Sequence, residues 1–113
     1  MGIEEDLKAN IKEFLESAEE NFVKKRYNSA INSYFKVITN LCDLEIYKTK
    51  RILPKNHSER FLFLKISFYE VYEVVNSLFN EYTKIYNKRL GEKEALLFKE
   101  NVKKLMQIFE KKT

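Results

Sequence analysis

The feature that most constrains this chain is its shortage of helix breakers, with one proline, Pro54, and two glycines among 113 residues. Glycine and proline are the residues that interrupt helices, so long helices are favoured wherever apolar residues recur at helical spacing. Pro54 also moves the preceding residue, Leu53, out of the helical region of backbone conformation. The sequence therefore predicts an all-α chain that is divided at Pro54.

Two amphipathic helices are predicted before this division, over about 3–25 and about 28–50. In both segments the apolar residues recur at intervals of three and four, which places them on one face of a helix. The apolar stripe is broader in the second segment, and this predicts that the second helix is the more buried of the two. Asn28 or a neighbour is a candidate for its N-cap.

A third helix is predicted to begin at about His57. Asn56 suits the N-cap, and Glu59 three residues later suits the matching position of a capping box. The helical pattern continues to about Arg89, which corresponds to roughly 50 Å of helix and exceeds the length of the others. Either this helix overhangs its neighbours or it breaks near Ser67.

A fourth helix is predicted over about 92–111, after a C-cap or hinge at Gly91. Four amphipathic helices with short connections predict an antiparallel up-and-down four-helix bundle, in one domain over residues 1–113. That topology places the 1–2 and 3–4 connections at one end of the bundle. The 2–3 connection is then expected at the other end, beside both termini.

Composition limits the chemistry that the chain can support. A single cysteine, Cys42, excludes an intramolecular disulfide, and one cysteine with one histidine leaves too few ligands for the usual zinc and iron sites. We therefore expect no metal and no cofactor. No apolar run approaches the roughly 18 residues of a membrane span, so we expect no membrane contact and a cytoplasmic protein.

Positive charge is densest in residues 48–60, where five basic residues stand against one acidic residue, a net charge of +4 that equals the net charge of the whole chain. Arginine and lysine bind phosphate groups, and arginine does so with two parallel hydrogen bonds. The candidate phosphate-binding residues are Lys48, Lys50, Lys55 and Arg60. The alternative is that the cations before Pro54 only complement the dipole at the end of a helix.

His57 is the candidate acid or base, since the histidine pKa near 6.5 suits proton transfer at neutral pH. A histidine and an arginine that face one phosphodiester can cleave RNA without a metal, with the ribose 2′-hydroxyl as nucleophile. Arg51 is the candidate partner of His57, and Arg60 would share its helix face. In the alternative interpretation, His57 only packs over the loop.

Two stretches carry a family resemblance. Residues 18–47, with Tyr27, Ala30 and Tyr34 on the second helix, and the loop Pro54-Lys55-Asn56-His57-Ser58 with the helix that follows resemble the HEPN domain. HEPN domains are small helical bundles of archaea and bacteria. They often pair with minimal nucleotidyltransferases in toxin–antitoxin systems, and many are metal-independent ribonucleases with an Arg-x(4–6)-His motif at a dimer interface.

The resemblance implies that Arg51 and His57, with five residues between them, occupy the positions of that motif. The motif has a polar residue directly after its arginine, where this chain has Ile52. Our first hypothesis is therefore a HEPN-like binding or regulatory module, which contacts nucleotide or RNA phosphate or a minimal nucleotidyltransferase. The alternatives are a ribonuclease toxin and a structural protein-interaction bundle, since residues 18–38 also resemble half a tetratricopeptide repeat. A homodimer is expected because the apolar run 61–64 needs covering.

Overall fold

A computed structural model of the protein describes residues 2–111. Within this range the chain forms five α-helices, a 3₁₀ turn at Thr83–Tyr86 and no strand, so the all-α prediction is confirmed. Met1, Lys112 and Thr113, which the predicted domain 1–113 includes, lie outside the described residues. The helices are α1 (Ile3–Val23), α2 (Tyr27–Lys50), α3 (His57–Ser67), α4 (Tyr69–Tyr82) and α5 (Glu92–Lys111).

α2 is the central helix, and it packs against each of the other four. It contributes twelve buried residues whereas α1 contributes two, so the prediction that α2 is the more buried helix is confirmed. Among its largest fully buried side chains, which belong to the core that α2 shares with the other helices, are Tyr34, Phe35, Ile31, Ile38 and Ile46.

The predicted third helix breaks at Phe68, so the described chain has five helices rather than four. Phe68 has φ −142° and ψ 61°, outside the helical region, and its amide donates to the Leu64 carbonyl while its own carbonyl accepts from Tyr72. One residue therefore ends α3 and begins α4. The start of this segment, residues 61–68, is apolar nearly all the way round, and folding the segment back on itself lets α3 and α4 pack against each other and against α2.

The α1–α2 and α4–α5 connections meet at one end of the molecule, as predicted. The Asn28 side chain joins them, because its Nδ2 donates to the Lys88 carbonyl at 2.7 Å and its Oδ1 accepts from the Leu90 amide at 3.0 Å. Asn28 is therefore not an N-cap. The N-cap position of α2 belongs to Arg26, which makes no side-chain capping bond.

The α2–α3 connection, residues 51–56, begins at the opposite end, where Lys48 lies beside Phe109 near the end of α5. It then turns back along the molecule. The His57 ring lies 6.1 Å from the ring of Phe35, and Phe35 precedes the end of α2 at Lys50 by about 22 Å of helix. Thus only the first part of this connection lies at the end where the whole of it was expected.

Candidate functional site

The first turn of α3 fixes the positions of the candidate site residues. The Asn56 side chain accepts from the Glu59 amide at 2.9 Å, which confirms the predicted N-cap. Glu59 Oε1 accepts in turn from the Lys55 amide at 3.0 Å, one residue before the position that a capping box requires. With the start of α3 fixed in this way, His57 and Arg60 lie on the same face of the helix.

Arg60 is bound to Asp43 of α2 through two parallel contacts. Its Nε donates to Asp43 Oδ1 at 2.6 Å, and its second terminal nitrogen donates to Oδ2 at 2.9 Å. The two side chains are only 11% and 14% exposed. Arg60, a predicted phosphate ligand, therefore already has a carboxylate in the position that a phosphate would take.

His57 accepts a hydrogen bond from the same guanidinium, with 2.8 Å between its Nδ1 and Arg60 Nη1. A guanidinium only donates, so Nδ1 carries no proton and the proton of the neutral ring is on Nε2. Burial lowers the pKa of His57, the Arg60 charge lowers it further, and Asp43 opposes both effects. The ring also packs near Phe61 and Phe79. At neutral pH this histidine is therefore a neutral hydrogen-bond donor through Nε2.

Arg51, the candidate partner of His57, makes different contacts. It is the C-cap of α2 in the left-handed conformation, with φ 61°, and its amide donates to the Tyr47 carbonyl at 2.8 Å. Its guanidinium lies 5.6 Å from the centroid of the Tyr47 ring. The structure thus joins His57 to Arg60, and it leaves Arg51 stacked on the preceding turn of α2.

The three lysines predicted to bind phosphate differ in their surroundings. Lys50 and Lys55 are exposed, and neither takes part in an ion pair within residues 2–111. Lys48 is half-buried and lines a shallow pocket of about 200 Å³, together with the buried Glu45. Lys50, Arg51 and Lys55 are therefore the cations of this segment that remain available to a ligand.

Sequence reasoning missed Asp43. It lies between Cys42 and Leu44 on the helix predicted to be most buried, and a carboxylate in that setting needs a cationic partner. The sequence did show a carboxylate among apolar residues of this helix, but it could not single out Asp43, because Glu45 two residues later lies in the same setting. The pairing with Arg60 follows from the way α3 lies across α2, which no local pattern contains.

Other reactive groups are few in the described part of the chain. Cys42 is fully buried, and burial raises the pKa of its thiol, so the thiol stays protonated. Residues 2–111 contain no group of three histidine, cysteine or acidic side chains placed to hold a metal ion. None of the helices in this range combines the length and the hydropathy needed to cross a membrane.

Comparison of the chain with protein-family models, with curated proteins and with solved structures found no match. The resemblance to HEPN domains therefore stays a prediction that rests on the residues of 18–47 and 52–64. What the chain does has to be inferred from the placement of its own charged and aromatic groups.

Proposed function

We propose that this protein is a HEPN-like binding module without catalytic activity, which contacts the phosphates of a nucleotide or RNA in the cytoplasm. The basic residues around the α2–α3 connection supply these contacts, with Lys50, Arg51 and Lys55 as the accessible cations and Lys48 at the edge. The observation that supports this best is that His57, Arg60 and Asp43 bond to one another, whereas the cations beside them lack carboxylate partners. If the chain is a HEPN-like helical bundle, α3 and α4 together correspond to the one long third helix that the sequence predicted.

The same arrangement argues against the ribonuclease alternative. A general base must offer a free nitrogen lone pair to the proton that it removes. In His57 the unprotonated nitrogen is Nδ1, and its lone pair already accepts a hydrogen bond from Arg60, which Asp43 holds in place. The lowered pKa also leaves little of the protonated form that a general acid would need. Arg51, the other half of the motif, contacts Tyr47 instead.

We propose further that the module is a homodimer. Leu62, Ile66 and Tyr69 are 55%, 72% and 55% exposed on the outer face of α3 and the start of α4. Leu53 and Ile52 of the preceding connection are also exposed, at 38% and 47%. A second copy would cover these side chains and bring the two basic connections into one assembly. A minimal nucleotidyltransferase of toxin–antitoxin type is the protein partner that the resemblance implies.

The binding proposal is tested by fluorescence anisotropy with labelled oligouridylate and with ATP at two salt concentrations. The test variant is Lys48→Gln/Lys50→Gln/Arg51→Gln/Lys55→Gln. A matched control removes four exposed lysines that lie elsewhere and belong to no ion pair within residues 2–111: Lys12, Lys36, Lys103 and Lys104. We expect wild type and control to bind, more weakly at the higher salt, and the test variant to lose binding of ATP and part of its affinity for oligouridylate. Wild type that binds neither probe would leave the structural bundle as the better interpretation.

Two further measurements test the remaining parts of the proposal. Incubation of RNA with the wild-type protein in EDTA should leave the RNA intact. Cleavage that His57→Ala abolishes would show a ribonuclease instead. Light scattering should give a dimer for the wild-type chain and a monomer for Leu62→Glu/Ile66→Glu. A wild-type monomer at high protein concentration would contradict the dimer.

A further inference from the structure

The end of the molecule opposite Arg51 carries a second concentration of positive charge. The α1–α2 connection with the first turn of α2 (residues 24–29) and the α4–α5 connection with its 3₁₀ turn (residues 83–91) contain six basic residues and no acidic residue. Lys24 and Lys84 form ion pairs with carboxylates of neighbouring turns. The other four cations are exposed and belong to no ion pair within residues 2–111: Lys25, Arg26, Lys88 and Arg89.

The fold holds these two basic segments together. The Asn28 side chain bonds to the backbone of both Lys88 and Leu90. The Tyr27 hydroxyl also donates to Glu92 Oε1 at 3.3 Å, and Glu92 directly follows the second segment. The four cations therefore surround one junction, although they are about sixty residues apart in sequence.

An open pocket of about 380 Å³ lies beside this junction, and it is lined by Asn28, Ser29, Asn32, Ile85 and Tyr86. The Tyr86 side chain is 75% exposed, with its hydroxyl 3.2 Å from that of Tyr82. Amide and hydroxyl groups thus stand next to an aromatic ring that is accessible to a ligand. Stacking platforms beside cationic grooves are what proteins use to bind single-stranded nucleic acids.

We propose that this end, the connection face (Lys25, Arg26, Lys88, Arg89 and Tyr86), binds single-stranded nucleic acid. The four cations contact successive phosphates, and Tyr86 stacks on a base whose edge faces the polar lining of the pocket. Residues 24–29 and 83–91 expose no large aliphatic side chain, whereas a membrane-binding face inserts several. Single-stranded nucleic acid is therefore the anion that matches both the four cations and the exposed Tyr86 ring.

The connection face is separate from the 48–55 segment of the proposed function. Lys48, Lys50 and Arg51 lie at the other end of α2, which is about 36 Å long, and Lys55 lies between the two ends because the α2–α3 connection turns back toward Phe35. An oligonucleotide of about four nucleotides, the smallest site size of an OB-fold, therefore contacts one end only. The inference goes beyond the proposed function and does not depend on it.

The experiment measures anisotropy of a labelled uridine tetranucleotide, and of its deoxythymidine counterpart, across a salt series. The connection-face variant is Lys25→Gln/Arg26→Gln/Lys88→Gln/Arg89→Gln. It is compared with the control variant that lacks four lysines elsewhere, defined above, and with the four-residue variant of the 48–55 segment. Circular dichroism checks that every variant is folded.

We expect the connection-face variant to lose at least tenfold in affinity, and its salt slope to fall by about three for four lost phosphate contacts. Tyr86→Ser should lose about tenfold with an unchanged salt slope. Binding of either tetranucleotide that the connection-face variant loses supports the proposal, and the difference between the two tetranucleotides measures the contribution of the ribose hydroxyl.

Three results would overturn the proposal. If the control variant loses as much affinity as the connection-face variant, binding follows net charge alone. If only the 48–55 variant loses affinity, the strand binds at the other end, and the proposed function stands without this second face. If the wild-type protein binds vesicles of anionic phospholipid but neither tetranucleotide, the face recognises a membrane surface instead.

Discussion

Replacement of Asp43 by alanine tests whether Arg60 is a structural side chain or an available ligand. The Arg60 and Asp43 side chains are 11% and 14% exposed, and contacts of 2.6 and 2.9 Å join them. Removal of one partner from a buried ion pair leaves the other charge without compensation, at a cost of 3–5 kcal/mol. Because both groups retain some contact with water, we expect a loss of about 3 kcal/mol, which in a domain of this size lowers the melting temperature by roughly 12 °C.

The assay is urea unfolding followed by circular dichroism, with the free energy of unfolding extrapolated to water. The double variant Asp43→Ala/Arg60→Met removes both charges, and it should lose less than Asp43→Ala does, because no buried cation is left unpaired. Lys84→Ala is the matched control, since it breaks an ion pair of 2.7 Å whose side chains are 45% and 32% exposed. That loss should not exceed about 0.5 kcal/mol.

A loss below about 1 kcal/mol for Asp43→Ala would refute the reasoning, because the pair would then behave like an exposed one. Arg60 would in that case be free to turn toward a phosphate, and His57 Nδ1 would lose its donor. The same measurement therefore decides between a closed cluster and a site that a ligand can open.

Three other predictions concern single side chains. Burial lowers the pKa of His57, so below about pH 6.5 the unfolded chain binds a proton that the native protein does not. In urea unfolding, the stability of the wild type should therefore fall as pH drops from 7 to 5, and that of His57→Gln should fall less steeply; equal slopes would contradict this. Lys25 has φ 62°, a left-handed conformation that glycine adopts without steric cost, so Lys25→Gly should stabilise by about 1 kcal/mol; a lower melting temperature would show that the lysine side chain matters more. Asn28→Ala loses the bonds to Lys88 and Leu90, which should cost about 2 kcal/mol and speed hydrogen exchange in residues 83–91; unchanged exchange would mean that other contacts hold this connection.

Local features of the fold were predictable because their causes lie within a few residues. The bounds of α1, α2 and α5 agree with the predicted segments to within two residues, since apolar periodicity and the scarcity of breakers determine them. The N-cap at Asn56 followed from the spacing of Asn56 and Glu59. Asn28, by contrast, has the residue type of an N-cap but does not cap α2, and its side chain bonds instead to a connection sixty residues away.

The candidate site was predictable only in part. The sequence placed His57 and Arg60 on one helix face, and the structure gives them a direct contact. The spacing in the sequence also paired Arg51 with His57. In the structure Arg51 instead caps α2 and stacks on Tyr47, because the connection from Arg51 to His57 turns back along the molecule. Spacing along a loop carries no information about the direction that the loop takes.

The sequence by itself determined that this chain is helical, that it divides at Pro54, and that positive charge concentrates in residues 48–60. Backbone preference, periodicity and composition decide these properties, and all of them act locally. Only the tertiary structure decided that the third segment turns at Phe68, that Asp43 neutralises Arg60, and that two short basic connections form a single face. Each of these depends on which surfaces of α2 are left to be covered, and that follows from how the helices pack in three dimensions.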